Sequence, residues 1–130
     1  MLAAHPLLTM LPVVDLERAR EFYEDRLSLP VSEDLSSEDA LVFQCGAGTL
    51  LGLYARATPT TADHTAAAWH VPDIEAAVRQ LTAQGIVFEQ YDFPGLQTDR
   101  HGIAQIGEER AAWFKDPEGN ILRLFEIVRA

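Results

Sequence analysis

Apolar residues along the chain follow a helical period twice, and each time an aspartate stands before the first apolar position. In PVVDLERAREFYEDRLSLPV the pattern predicts a helix over Leu16–Leu27 with Asp15 as its N-cap. In HVPDIEAAVRQLTAQGIVFE the same pattern predicts a helix over Ile74–Gln84, capped by Asp73 and ended by Gly85. The two segments therefore indicate an internal repeat.

Short apolar or alternating runs surround each helix and predict strands. The segments GTLLGLY and GNILRLF match each other as the last strand of each half. The predicted strands are Leu7–Val13, Val31–Asp34, Ala40–Gln44 and Thr49–Ala55 in the first half, and Thr65–Val71, Val87–Asp92, Ala111–Lys115 and Asn120–Val128 in the second. Each half thus has the order βαβββ, which predicts an α+β domain made of modules 1–58 and 59–130.

The second half is longer, and its extra residues fall in FPGLQTDRHGIAQIGEE. The glycines and polar residues of this segment predict an irregular loop or flap over Pro94–Gly107 rather than a strand. Two interpretations stay open. The loop is either a lid in which Asp99, Arg100 and His101 contact a ligand or a second subunit, or a solvated loop without a role.

Composition narrows the classes of partner. The chain has 130 residues and a formal net charge of −10, with 10 Lys and Arg against 20 Asp and Glu, which argues against a nucleic-acid partner. Its apolar N-terminus lacks a basic region and carries Pro6 and Pro12, so neither a signal peptide nor a membrane span is expected. Cys45 is the only cysteine, so no internal disulfide can form, and a reducing, cytoplasmic location is expected.

Three segments together resemble the vicinal oxygen chelate superfamily, which includes glyoxalase I, extradiol dioxygenases, fosfomycin-resistance enzymes and bleomycin-resistance proteins. They are PVVDLERAREFYEDRL, VPDIEAAVRQLTAQGI and WFKDPEGNILRL. The resemblance implies the glyoxalase-like fold, in which two tandem βαβββ modules curl their mixed sheets around a cup. It also implies a homodimer, since members of the superfamily are commonly dimeric.

The resemblance also locates the positions where metal-dependent members hold their ion, on the first and last strands of each module. In this chain those positions are Leu8, Gly52, Ala66 and Arg123. A divalent metal needs several deprotonated nitrogen, oxygen or sulfur donors, and a guanidinium remains protonated and repels the ion. We therefore predict no metal and no other cofactor. A displaced site stays open as an alternative, and it would draw on the histidines His5, His64, His70 and His101.

Alternation from those four positions predicts the residues that line the cup. They are Leu8, Met10, Gly52, Tyr54, Ala66, Ala68, His70, Arg123 and Phe125, with Trp113 as the member of the Trp113–Phe114 pair that faces inward. The small residues are expected to leave volume for a ligand. Arg123 either grips the anionic group of a planar ligand or pairs with an internal carboxylate. Glu126 is expected to face away from the cup.

Three functions are compatible with this pattern. The first is metal-independent binding of a small, partly aromatic or drug-like molecule, as in the bleomycin-resistance branch that the chain resembles. The alternative is a metal-dependent lyase, isomerase or dioxygenase of glyoxalase type that uses displaced ligands. A second alternative is a dimerisation or regulatory module whose cup is vestigial.

Overall fold

The computed structural model describes residues 1–128 as two compact units. The first unit comprises residues 1–61 and 116–120, and the second comprises residues 62–115 with the strand that follows Asn120. Across the described residues, no helix is both long and apolar enough to cross a membrane.

The first unit is a three-stranded sheet with a helix on one face. Its elements are β1 (Leu8–Val13), α1 (Leu16–Arg20), β2 (Ala40–Gln44) and β3 (Leu50–Ala55). The strand order is β1-β3-β2, with β1 parallel and β2 antiparallel to β3. The predicted helix Leu16–Leu27 is less regular than its period suggests, because α1 continues as a π-helical segment over Glu21–Arg26. Phe22 and Tyr23 lie in that segment and are buried in the core.

The second unit carries a larger sheet. Its elements are β4 (Thr65–His70), α2 (Ile74–Ala83), β5 (Asp92–Phe93), β6 (Leu96–Gln97), β7 (Ala104–Ile106), β8 (Glu109–Lys115) and β9 (Ile121–Ile127). The main sheet has the order β4-β9-β8-β7, and β5 pairs with β6 as a separate two-stranded ribbon. The core on the α2 side contains Ile74, Val78, Phe114, Leu122 and Leu124, each less than 5% exposed.

The strand pairing repeats between the units, since β4-β9-β8 has the same order and directions as β1-β3-β2. The second strand predicted for each half is wrong in extent. Val31 forms only an isolated bridge to Phe43, and Phe88 forms only an isolated bridge to Phe114. Both predicted strands have apolar residues of the right type, but each meets the sheet at one pair before the chain turns away.

The segment Pro94–Gly107 is more ordered than the prediction of an irregular loop. It contains β6 and β7, and β7 extends the main sheet by pairing with β8. Glycines and prolines in the segment mark the turns between very short strands, which sequence periodicity does not resolve.

Both helices begin at the predicted caps. Asp15 Oδ1 accepts a hydrogen bond from the Arg18 N–H, and Asp73 Oδ1 accepts one from the Ala76 N–H, each at 3.1 Å. Each helix start also receives a carboxylate from a distant part of its own unit. Glu118 accepts from the N–H groups of Val14 and Asp15, and Glu126 accepts from that of Ile74 at 3.0 Å. These carboxylates satisfy backbone donors that the helix itself leaves unpaired.

The turn Asp116–Asn120 belongs to the first unit and is buried there through its polar side chains. Asp116 Oδ1 accepts from the N–H groups of Glu118 and Asn120. Its Oδ2 accepts from the Tyr23 hydroxyl at 2.6 Å and from Asn120 Nδ2 at 2.8 Å. Asn120 Nδ2 also donates to the Pro12 carbonyl. The turn therefore fastens the π-helical segment and β1 together.

Gly102 is required by both its backbone conformation and its surroundings. Its φ is +88°, and an added Cβ would lie 2.8 Å from Phe88 Cβ and 3.2 Å from the Glu89 carbonyl oxygen. We expect Gly102→Ala to lower the free energy of unfolding by about 3 kcal/mol, because left-handed strain and a clash with poorly movable atoms add together. Urea denaturation followed by circular dichroism measures the loss.

Gly95→Ala is the matched control in the same part of the chain. Gly95 has a similar φ of +82°, but nothing lies within 4 Å of an added Cβ. The control variant should therefore lose only the strain contribution, about 1 kcal/mol. Equal losses in the two variants would show that crowding at Gly102 is unimportant.

Candidate functional site

The sheet face of the first unit that lies opposite α1 brings together four predicted site residues, Leu8, Met10, Gly52 and Tyr54. Met10 pairs with Gly52 across β1 and β3, and a Cβ added to Gly52 would lie 2.7 Å from Met10 Sδ and 3.2 Å from Leu8 Cδ1. The expectation that Gly52 leaves volume for a ligand is therefore corrected, because Met10 and Leu8 already fill that space. Tyr54, two residues after Gly52, follows on the same face and is half-buried.

A β-bulge at the start of β4 changes the predicted register in the second unit. Thr65 pairs with Ile121, but Ala67 pairs with the next residue, Leu122, so β4 holds one extra residue there. The regular alternation that would put Ala66 on the face of Ala68 and His70 is interrupted at this point. Thr65 takes part in that face instead, since its Oγ1 accepts a hydrogen bond from the Trp113 indole at 3.1 Å.

The other five predicted residues of this unit are brought together on the sheet face opposite α2, namely Ala68, His70, Trp113, Arg123 and Phe125. Ala68 pairs with Arg123, His70 with Phe125, and Trp113 with Arg123. The neighbouring Phe114 points to the opposite side and is 1% exposed, as strand alternation requires. We call this surface the aromatic face and define it by His70, Trp113, Arg123, Phe125 and the nearby Tyr91.

A continuous row of π-systems runs along the aromatic face. The His70 and Phe125 rings are stacked, with centroids 4.9 Å apart and planes 6° apart. The Arg123 guanidinium lies 5.1 Å from the Phe125 centroid and 5.6 Å from the Trp113 centroid. Tyr91 continues the row edge-on to Trp113, at 5.6 Å. Both contacts of Arg123 are within the range of cation–π attraction, which holds its planar group in place.

Arg123 is paired with a carboxylate, although only by one contact. Its Nη2 donates to Glu109 Oε1 at 3.3 Å, and its side chain remains 19% exposed. A guanidinium has five N–H donors, so this longer hydrogen bond uses a small part of its capacity. The site therefore combines an internal carboxylate with a cation that can still accept an anionic group.

Three contributors to the site were absent from the sequence prediction, namely Glu109, Tyr91 and Thr65. Glu109 was missed because the strand was predicted to start at Ala111, although the alternation of 109, 111 and 113 would have placed it beside Trp113. The pKa of Tyr91 is raised, mainly by burial and secondly by the nearby Glu89 carboxylate. The phenol therefore stays neutral at neutral pH and can donate a hydrogen bond. No sequence signal predicts the contact of Thr65 with Trp113, since this contact depends on the bulge in β4.

The four positions that the resemblance assigns to metal ligands do not suit a metal ion. Leu8, Gly52 and Ala66 carry no donor atom, and Arg123 is a cation engaged by Glu109. Nor does the described part of the chain, residues 1–128, hold three His, Cys, Asp or Glu side chains grouped closely enough to bind one ion. Glu126 is also turned from the aromatic face, because it reaches the start of α2.

The four histidines have separate environments. His5 follows a short 3-10 turn and is exposed. His64 is exposed, with Nδ1 3.2 Å from the Thr65 carbonyl. His70 stacks on Phe125, and His101 Nε2 accepts from Arg100 Nε at 3.2 Å. His70 alone among them belongs to the aromatic face as defined above.

Comparison with known proteins identifies the fold. The family model of the Glyoxalase/Bleomycin resistance protein/Dioxygenase superfamily matches residues 5–124. No protein of curated function matches the chain.

Solved structures agree with the family model at the level of the fold. A glyoxalase/bleomycin resistance protein/dioxygenase from Alicyclobacillus acidocaldarius superposes with a TM-score of 0.72 at 16% identity, over 97% of this chain and 93% of that one. A glyoxalase/bleomycin resistance protein/dioxygenase from Nocardioides gives 0.68 at 21%, over 98% and 87%. A lactoylglutathione lyase from Agrobacterium tumefaciens gives 0.66 at 20%, over 95% and 93%. The predicted α+β, glyoxalase-like fold is thus confirmed.

Proposed function

Because the chain belongs to the Glyoxalase/Bleomycin resistance protein/Dioxygenase superfamily, we propose that it binds a small molecule on the aromatic face of its second unit. The ligand would have a planar, partly aromatic body and an anionic group such as a carboxylate. Binding would need no metal ion. The observation that carries this proposal is the row of stacked π-systems in which Arg123 lies between Phe125 and Trp113.

The row supplies the two kinds of contact that such a ligand needs. Flat rings of His70, Phe125 and Trp113 offer surfaces for stacking, and Ala68 beside Arg123 adds little bulk. The guanidinium offers a forked set of donors that matches a carboxylate. Glu109 holds one donor in the free protein, so an incoming anion would compete with it for Arg123.

Metal independence is supported by the chemistry of the residues at the family's ligand positions. Leu8, Gly52 and Ala66 offer no donor, and the cation of Arg123 would oppose a divalent ion. The same guanidinium can neutralise an anionic group without a metal. The most economical function is therefore recognition or sequestration of the ligand.

Arg123→Ala should weaken binding of 1-naphthoate by about tenfold or more, because a charge-assisted contact to the carboxylate is lost. The neutral analogue 1-naphthalenemethanol should bind wild type and variant equally. Titration is followed through the indole N–H signal of Trp113 in ¹⁵N NMR spectra, since this group is part of the site. The indole signal of Trp69, which stacks on Phe114 in the core, serves as an internal reference.

Glu109→Gln is the matched variant, because it keeps the size of the side chain and removes the competing charge. It should strengthen naphthoate binding by about threefold, in keeping with the small worth of a partly exposed ion pair. Unchanged naphthoate affinity in Arg123→Ala would contradict the proposed site. Stoichiometric Zn²⁺ or Ni²⁺ in the purified protein would instead favour a metal-dependent enzyme with displaced ligands.

A further inference from the structure

A separate groove lies beside α2 in the second unit. Its floor is apolar, since Val78 and Ile103 are 4% and 6% exposed. Its volume is about 390 Å³, within the range of sites for small molecules. The lining residues are Glu75, Val78, Arg79 and Thr82 from one stripe of α2, and Asp99, His101 and Ile103 from the segment before β7.

The two acidic side chains of the groove are already engaged. Glu75 Oε1 accepts from Arg110 Nη2 at 2.8 Å. Asp99 Oδ1 accepts from the N–H groups of His101 and Ile103, at 2.8 and 3.0 Å, which fixes the segment that forms one wall. Each carboxylate is therefore held in place by its hydrogen bonds, and the charge of Glu75 is also paired with Arg110.

Among the described residues, two polar side chains of the groove have no partner, and both can donate hydrogen bonds. Within residues 1–128, the side chains of Arg79 and Thr82 make no hydrogen bond or ion pair. The His101 ring accepts from Arg100 at Nε2, so its neutral form carries the proton on Nδ1 and can donate there. A cation, a hydroxyl and an imidazole N–H thus border an apolar floor.

We propose that this groove is a second binding site, for a small molecule that carries a carboxylate on an apolar body. The body would cover Val78 and Ile103, and the carboxylate would bind Arg79 with help from Thr82 and His101. A cavity of this size holds a ligand of about one or two rings. The proposal is independent of the aromatic face, because none of the lining residues belongs to that surface.

The test uses full-length protein carrying Arg123→Ala, so that the aromatic face lacks its cation. Benzoate is titrated while the methyl signals of Val78 and Ile103 and the amide signal of Thr82 are followed by NMR. We expect saturable shifts at these residues with millimolar affinity. Adding Arg79→Ala should weaken binding by about fivefold, as for other exposed ion pairs, and Arg79→Lys should restore part of the loss.

Two further probes separate the contributions of charge and apolar surface. Benzyl alcohol supplies the ring without the charge and inorganic phosphate supplies charge without the ring, so each should bind more weakly than benzoate. The proposal would be overturned if no saturable shifts appeared at benzoate concentrations up to 20-fold above about 1 mM. It would also be overturned if benzoate bound equally well with and without Arg79→Ala. If benzyl alcohol or phosphate bound as tightly as benzoate, the proposal would also be overturned, because the site would then not recognise both the ring and the charge of the ligand.

Discussion

Asp116→Ala is expected to lower the free energy of unfolding by about 3 kcal/mol, one of the largest single losses available in the first unit. Asp116 is 5% exposed, and its carboxylate accepts four hydrogen bonds. Removing it leaves the Tyr23 hydroxyl and the N–H groups of Glu118 and Asn120 buried without their acceptor. Urea denaturation at pH 7, with the slope compared between variants, measures the loss.

Asp63→Ala is the control for loss of an aspartate, since Asp63 is exposed and its change should have an effect near zero. Tyr23→Phe tests the central contact. Burial, followed by the charge and hydrogen bond of Asp116, raises the pKa of Tyr23, so its hydroxyl remains a donor across the working pH range. Additive losses in the Tyr23→Phe, Asp116→Ala double variant would contradict a network joined by this hydrogen bond.

Features set by local chemistry could be predicted from the sequence. Asp15 and Asp73 cap their helices because a short side-chain acceptor just before the first helical turn reaches a backbone N–H that the helix leaves unpaired. The side of the sheet on which Arg123 lies also follows from local alternation, which fixes every second residue once a strand is identified. Repetition of the same signals in both halves indicates two units of like architecture, and the structure shows the same strand pairing in β1-β3-β2 and β4-β9-β8.

Features set by packing could not be predicted. The bulge between Thr65 and Ala67 adds one residue to the strand without disturbing the apolar pattern. It places the Thr65 hydroxyl beside Trp113, and the sequence pattern gives no sign of this change. The absence of a side chain at Gly52 predicts free volume above the strand, but the flexible thioether of Met10 occupies that volume. Which side chain occupies a given space on a sheet depends on the register and spacing of neighbouring strands, and these are not evident from the order of residues.

The same limit applies to the carboxylate that pairs with Arg123. The sequence offered 20 acidic residues and no means of choosing among them. Glu109 is selected because β8 and β9 are antiparallel and their register brings it to the face of Arg123, 14 residues away in the chain. The predicted strand starts at Ala111, two residues later than the strand of the structure, and this difference is enough to hide Glu109 as the partner of Arg123.

Glu118→Gln is expected to lower the free energy of unfolding by about 2 kcal/mol at pH 7 and by progressively less as the pH falls. Burial alone would raise the pKa of the Glu118 carboxyl, but hydrogen bonds from the Val14 N–H, the Arg18 guanidinium and the Asp15 N–H outweigh it and hold the pKa below its ordinary value of 4.5. A depressed pKa in the folded state means that the ionised form stabilises the protein.

The stabilisation is therefore complete above the ordinary pKa of 4.5 and is lost as the pH falls below it and through the folded-state pKa. Urea midpoints of wild type and Glu118→Gln, measured from neutral pH downwards, should converge in acid because the glutamine cannot ionise. Glu24→Gln is the control, since Glu24 pairs with Arg20 on the exposed surface of the same helical segment at 3.4 Å and its removal should matter much less. A gap between wild type and Glu118→Gln that stays constant into acid would show that shape, rather than charge, makes Glu118 necessary at the start of α1.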